Sequence, residues 1–118
     1  TAIFSLRQVQ EVAGPLNKDV PAIVSVFAGR IADSGRDPIP LMKEALNILK
    51  PYPKAELLWA SPREALNIIQ ADAVGCHIIT VTPDLLAKSA SFGKDLEDFS
   101  LDTVKMFYND ARKSGFQI

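Results

Sequence analysis

Arg30 and Arg63 carry the strongest chemical signal in the sequence. Arg30 follows Phe27-Ala28-Gly29 at the end of one apolar run, and Arg63 follows Ala60-Ser61-Pro62 at the end of another. A guanidinium offers paired N–H donors that match phosphate or carboxylate oxygens, and the free N–H groups of a helix start add more. Two such groups behind consecutive strands, with the Ser61 hydroxyl beside one, describe a phosphate site without a glycine-rich phosphate loop. Plainer explanations compete with this one. Ser61, Pro62 and Glu64 read equally as a helix start, with a serine cap, proline in the first turn and a glutamate three residues on. Arg30 can pair with Asp33 or Asp37. Arg63, at the second position of that helix, would oppose the helix dipole, which calls for an anionic partner, either a ligand or a neighbouring carboxylate.

The remaining reactive side chains support little chemistry. His77 is the sole histidine; it opens an apolar run and reads as a core residue whose polar atoms are satisfied. Cys76 is the sole cysteine, so it forms no internal disulfide and no cysteine zinc site, and it reads as a small buried hydrophobe. Trp59 reads as core. Asp95, Glu97 and Asp98 read as a solvated acidic loop, with no histidine or second carboxylate pair to make a metal site. Paired-carboxylate catalysis has no scaffold, because the carboxylates are read on helices and loops. All eight lysines fall on expected helices or loops, and none lies where burial would lower an amine's pKa enough for Schiff-base chemistry.

The elements that must position these residues are short. The chain has 118 residues, 47% apolar and 23% charged, with a net charge of −1. That is enough for one domain with a core, and it supplies no basic field for nucleic acid or an anionic membrane. Neither a membrane-length apolar run nor a signal-peptide pattern is present in the sequence, so a cytoplasmic, soluble domain is expected. Continuous apolar, β-branched runs predict strands near residues 1–4, 22–27, 55–60 and 77–82, buried on both faces as in a parallel sheet. A helical pattern follows each strand. Ser5 and Gln8 form a capping box for a helix to Ala13; Pro38 to Lys50 is helical and ends at Pro51; Ser61 and Thr82 open two more. A last helix, capped at Ser100, is expected near residues 101–113, with Val104, Phe107 and Tyr108 as its buried stripe and Gly115 as its stop. The result is a single α/β domain, residues 1–118, of four consecutive βα units plus a C-terminal helix. At roughly 30 residues per unit, this fits an open doubly wound sheet or the second half of a TIM (β/α)₈ barrel. A complete barrel typically needs about 250 residues.

Three motifs stand in the order and spacing of a known family. Val24-Ser25-Val26-Phe27-Ala28-Gly29-Arg30-Ile31-Ala32-Asp33 resembles the strand-six signature of the transaldolases, and Ala60-Ser61-Pro62-Arg63 resembles their strand-seven Ala-Ser-x-Arg. Thr1-Ala2-Ile3-Phe4-Ser5 is similar to the end of their fifth strand. The fructose-6-phosphate aldolase branch is less similar, with tyrosine where this chain has Phe27. The resemblance implies a class I aldolase barrel that moves a dihydroxyacetone unit between sugar phosphates, in the pentose phosphate pathway, through a lysine Schiff base and with no cofactor. It implies that Arg30 and Arg63 grip the sugar phosphate, that Ser61 donates to it, and that Ser25 points toward substrate hydroxyls. Phe27 would flank the carbon chain and Thr1 would hold a catalytic water. The family's lysine, aspartate and glutamate would all precede Thr1, so the chain resembles the C-terminal half and is expected to be inactive alone. Its partners would be a sugar phosphate and either a second copy or the missing half, with no nucleic acid and no membrane. Phe107, Tyr108, Phe116 and Ile118 would support contacts between subunits. Two alternatives stand beside this: a non-catalytic module that binds a phosphorylated metabolite, and a structural half-barrel that assembles by edge pairing.

Overall fold

A computed structural model describes residues 1–115. They divide into two compact units, Thr1–Ala87 and the stretch from Lys88 onward.

In the first unit, three strands form a parallel sheet in chain order: β1 (Ala22–Val26), β2 (Ala55–Trp59) and β3 (Ile78–Ile79). Ala22 pairs with Ala55 and Val26 with Trp59, and Leu58 pairs with Ile78. The strand expected near residues 1–4 is reduced to one bridge, Ile3 to Val26. Ala2 explains this, because its φ of +58° turns the backbone out of the extended region. The strand expected near 77–82 is also shorter. As an edge it has one neighbour, yet backbone bonds from His77 to Leu57 and from Thr80 to Trp59 carry the ladder one residue past each end.

Helices α1 (Leu6–Ala13), α2 (Ala28–Asp33), α3 (Pro38–Leu49), α4 (Leu66–Val74) and α5 (Pro83–Lys88) fill the connections. The Ser5 capping box forms as its spacing predicts: Gln8 N donates to Ser5 Oγ and Ser5 N donates to Gln8 Oε1. Asp37 caps α3 by accepting from Ile39 N at 2.9 Å, and Thr82 accepts from Leu85 N to start α5. The six residues of α2 lie between the expected strand at 22–27 and the expected helix from Pro38, where the sequence names no element. Ala28 and Ile31 of α2 are buried.

The core lies between the sheet and one layer of helices, with α3 packed against α1, β2 and α4. Helices α1 to α4 of the first unit contribute buried residues to that layer. Val24, Val26, Leu57 and Trp59 are buried on that side together with Val9, Met42 and Ala45. The alternate strand positions are not covered by helices: Ile23 is 60% exposed and Glu56 is exposed. Burial on both faces is therefore not what the first unit shows, because its helices α1 to α4 cover only one. A doubly wound sheet needs a second helical layer. The one-sided, in-order parallel sheet is α/β and compatible with part of a TIM-type fold. Trp59 Nε1–H is buried without an acceptor among the described residues.

In the second unit, a 3₁₀ turn (Ser89–Ser91) and Gly93 at φ +77° lead into α6 (Leu96–Lys113). This helix starts five residues before the expected Leu101. Asp95, rather than Ser100, caps it by accepting from Glu97 N and Asp98 N, and the acidic first turn complements the helix dipole. It ends at Lys113 ahead of Gly115, as its last residues predict. No residue of α6 is buried, so the expected stripe is an exposed one; Phe107 is 60% accessible. Phe116 and Ile118 lie outside the described residues. Among the described residues, no helix is long and apolar enough to cross a membrane.

Candidate functional site

The site is built where α2 meets the turn after β2. Gly29 N donates to Ala60 O at 3.1 Å, and a Cβ on Gly29 would sit 1.3 Å from the Ser61 carbonyl oxygen. Only glycine permits that approach. The turn itself is held in an uncommon shape, with Ser61 at φ +58°.

This geometry overturns the helix start read at Ser61. The helix α4 begins at Leu66, and Asn67 organises the turn from inside: its Oδ1 accepts from Arg63 N at 2.8 Å and Glu64 N at 2.9 Å. Ser61 caps nothing, and its hydroxyl has no hydrogen bond among the described residues. Arg63 precedes the helix, so it does not oppose a helix dipole and that argument for an anion falls away.

Arg63 instead reaches across to α2. Its Nε donates to Asp33 Oδ1 and Oδ2 at 3.1 Å each, and Nη2 donates to Oδ2 at 2.6 Å. The hydrogen bond from Arg63 holds the Asp33 carboxyl below the usual carboxylate value, and the charges of Arg63 and Arg30 push the same way. Asp33 in turn raises the guanidinium's pKa. Of the partners weighed for Arg30, Asp33 is thus hydrogen-bonded to Arg63. Arg30 acts on Asp33 through space, and its guanidinium lies 6.0 Å from the Phe27 ring centroid.

Beside Arg63 is a concavity of about 340 Å³ lined by Ser61, Pro62, Arg63, Thr80, Val81 and Thr82. It lies beyond the carboxyl ends of β2 and β3, where ligands gather in parallel α/β folds. Ser61 and Arg63 therefore share one recess; Arg30 does not line it and is linked to it only through its charge on Asp33. The other sequence-derived residues lie elsewhere. Ser25 is half-buried in β1, and Phe27 stacks at a tilt on Phe4 with ring centroids 5.8 Å apart. Thr1 is exposed, without a hydrogen bond among the described residues.

His77 is exposed rather than core; its Nδ1 accepts from Leu57 N at 2.9 Å and so extends the sheet ladder by a side chain. Cys76 is half-buried, and burial pushes its thiol up to about 11. Glu56 is the exception to carboxylates on helices and loops: it lies inside β2, alone on the open face. All eight lysines are exposed. Asp33 as the partner of Arg63 and Asn67 as the organiser of its turn were missed. For Asn67, an amide four residues after Arg63 was the available signal; for Asp33, thirty residues away in sequence, no local signal exists.

An in-order parallel sheet with one helical layer and a cationic, hydroxyl-bearing rim at its carboxyl edge makes this an α/β protein compatible with a partial TIM-type fold. Residues 1–118 match the Transaldolase/Fructose-6-phosphate aldolase family, and the chain belongs to it. It is similar to a probable transaldolase of Nitrosopumilus maritimus, 34% identical over 75% of this chain and 39% of that protein. A probable transaldolase of Caldicellulosiruptor saccharolyticus is 39% identical over 69% of this chain and 36% of its own length. One from Desulforamulus reducens is 33% identical over 90% and 49%. The chain thus spans less than half the length of these relatives.

Proposed function

We propose that this chain, as one α/β domain of four βα repeats, is the phosphate-binding C-terminal half of a transaldolase-like enzyme in the cytoplasm. In this reading a dihydroxyacetone unit passes between sugar phosphates through a Schiff base on a lysine outside residues 1–118. The observation that carries it is the Arg63 guanidinium fixed at the sheet's carboxyl rim beside Ser61, Thr80 and Thr82, with Arg30 on the neighbouring helix α2. Family membership supplies the reaction class; the rim supplies donors for a phosphate dianion. Ser25, on the open face of β1 that a barrel would enclose, and Phe27, between β1 and α2, are assigned to the substrate's carbon chain. Thr1 is assigned to water positioning. Self-association or pairing with the missing half would cover that face.

Titration with fructose 6-phosphate tests the binding role. Arg63→Ala is expected to weaken it roughly tenfold or more, since hydrogen bonds to charged groups contribute about 1.5–3 kcal/mol; unchanged affinity would end the phosphate assignment. Borohydride trapping with the same sugar tests the lysine's absence, and an adduct on this chain would contradict it. A non-catalytic metabolite-binding module is the second reading, favoured by the exposure of all eight lysines.

A further inference from the structure

We infer that Asp33 is a positioning residue, fixing one edge of the Arg63 guanidinium so that its other edge faces an anion at the rim. This rests on the phosphate-binding reading above. A guanidinium carries five N–H donors that form two bidentate edges. Asp33 takes the Nε/Nη2 edge with both carboxylate oxygens. The two Nη1 protons and the second Nη2 proton have no partner among the described residues, and one Nη1 proton with that Nη2 proton makes a complete second fork. Arg63 can therefore hold Asp33 and a phosphate at once, without exchanging one for the other.

The clamp's position comes from the fold. Asp33 ends α2, and α2 is pressed against the Ala60–Ser61 turn at Gly29, which sets the reach between carboxylate and guanidinium. Arg30 is three residues before Asp33 on the same helix, so two cations share one carboxylate and the cluster keeps a net positive charge. An exposed arginine otherwise samples many rotamers, and ordering it on binding lowers affinity; a fork held in advance avoids that loss.

Coulomb's law alone predicts the opposite behaviour, because removing a negative charge beside an anion site strengthens binding. The full chain titrated with inorganic phosphate by calorimetry separates the two. Asp33→Asn, which keeps shape and loses charge, is expected to weaken binding about tenfold, the scale of one charged hydrogen bond. Asp33→Glu restores most of it, and the melting temperature stays where it was. In ¹⁵N-labelled protein, the Arg63 Nε–H resonance is expected to shift in Asp33→Asn and return in Asp33→Glu. Binding lost in Arg63→Ala but kept or tightened in Asp33→Asn would overturn the positioning role alone. A wild-type chain that binds no phosphate, with Arg63→Ala no different, would remove the rim reading and this role with it.

Discussion

Gly29 is the residue on which the rim geometry turns. A methyl group there would overlap backbone, which cannot swing aside as a side chain can. Gly29→Ala is expected to destabilise by about 1–3 kcal/mol, the usual cost of overpacking, read as a lower urea midpoint. Separating α2 from the Ser61 turn would also disturb the Arg63–Asp33 pair. That pair is exposed, so its pH signature is small in energy but clear in sign. The carboxyl of Asp33 titrates lower in the folded chain, so its contribution is present above the unfolded carboxylate value and is lost as pH falls through the folded one. An Arg63 Nε–H resonance followed below about pH 4 should show the release. Cys76 runs the other way. Its thiol titrates higher when folded, so stability holds below the unfolded thiol value and declines as pH rises toward about 11. At neutral pH the thiolate is scarce, and iodoacetamide should modify Cys76 far more slowly in the folded chain than in urea.

At the scale of elements, the starts of helices separate what neighbouring residues decide from what packing decides. Ser5 and Thr82 act as caps just where their spacing places them, because nothing distant contests those turns. Ser61 has equally good local credentials and caps nothing. The close approach of Gly29 fixes the Ser61 carbonyl, the residue takes a left-handed φ, and the helix is postponed to Leu66. Asn67 then satisfies the two N–H groups that a serine cap would have taken. Asn67→Ala should therefore cost about 1 kcal/mol, as loss of a cap does, whereas Ser61→Ala should cost less; thermal melts compare the two. At α6, the acidic residues read as a loop are the cap and first turn of an 18-residue helix.

For the whole molecule, the decisive feature is a sheet covered on one side. Ile23 is open to solvent on the other side, and Leu58 and Ile78 are only partly buried. Exposed apolar sheet with two open edges favours association. The chain is expected to sediment with a concentration-dependent mass, and a dilute monomer with this face bare would count against a half-barrel that needs covering. Trp59 tests the covered side. Its N–H is buried without an acceptor, and such a group costs about 1–3 kcal/mol. Trp59→Phe should thus be milder than its lost volume implies, while Trp59→Ala should cost about 3–5 kcal/mol in a urea titration.

The sequence by itself determined what depends on neighbours within a turn or a strand: alternating apolar runs and helices, parallel pairing, the caps at Ser5 and Thr82, and the motifs that mark the family. Ser61 and Arg63 were legible as neighbours at the end of β2 because both stand within three residues of an apolar run. Tertiary structure alone decided which carboxylate holds Arg63, why Gly29 must be glycine, that Ser61 is a bent turn and not a cap, and which sheet face stays open. Each of those depends on atoms brought together from distant parts of the chain, where local propensity carries no information and steric contact decides.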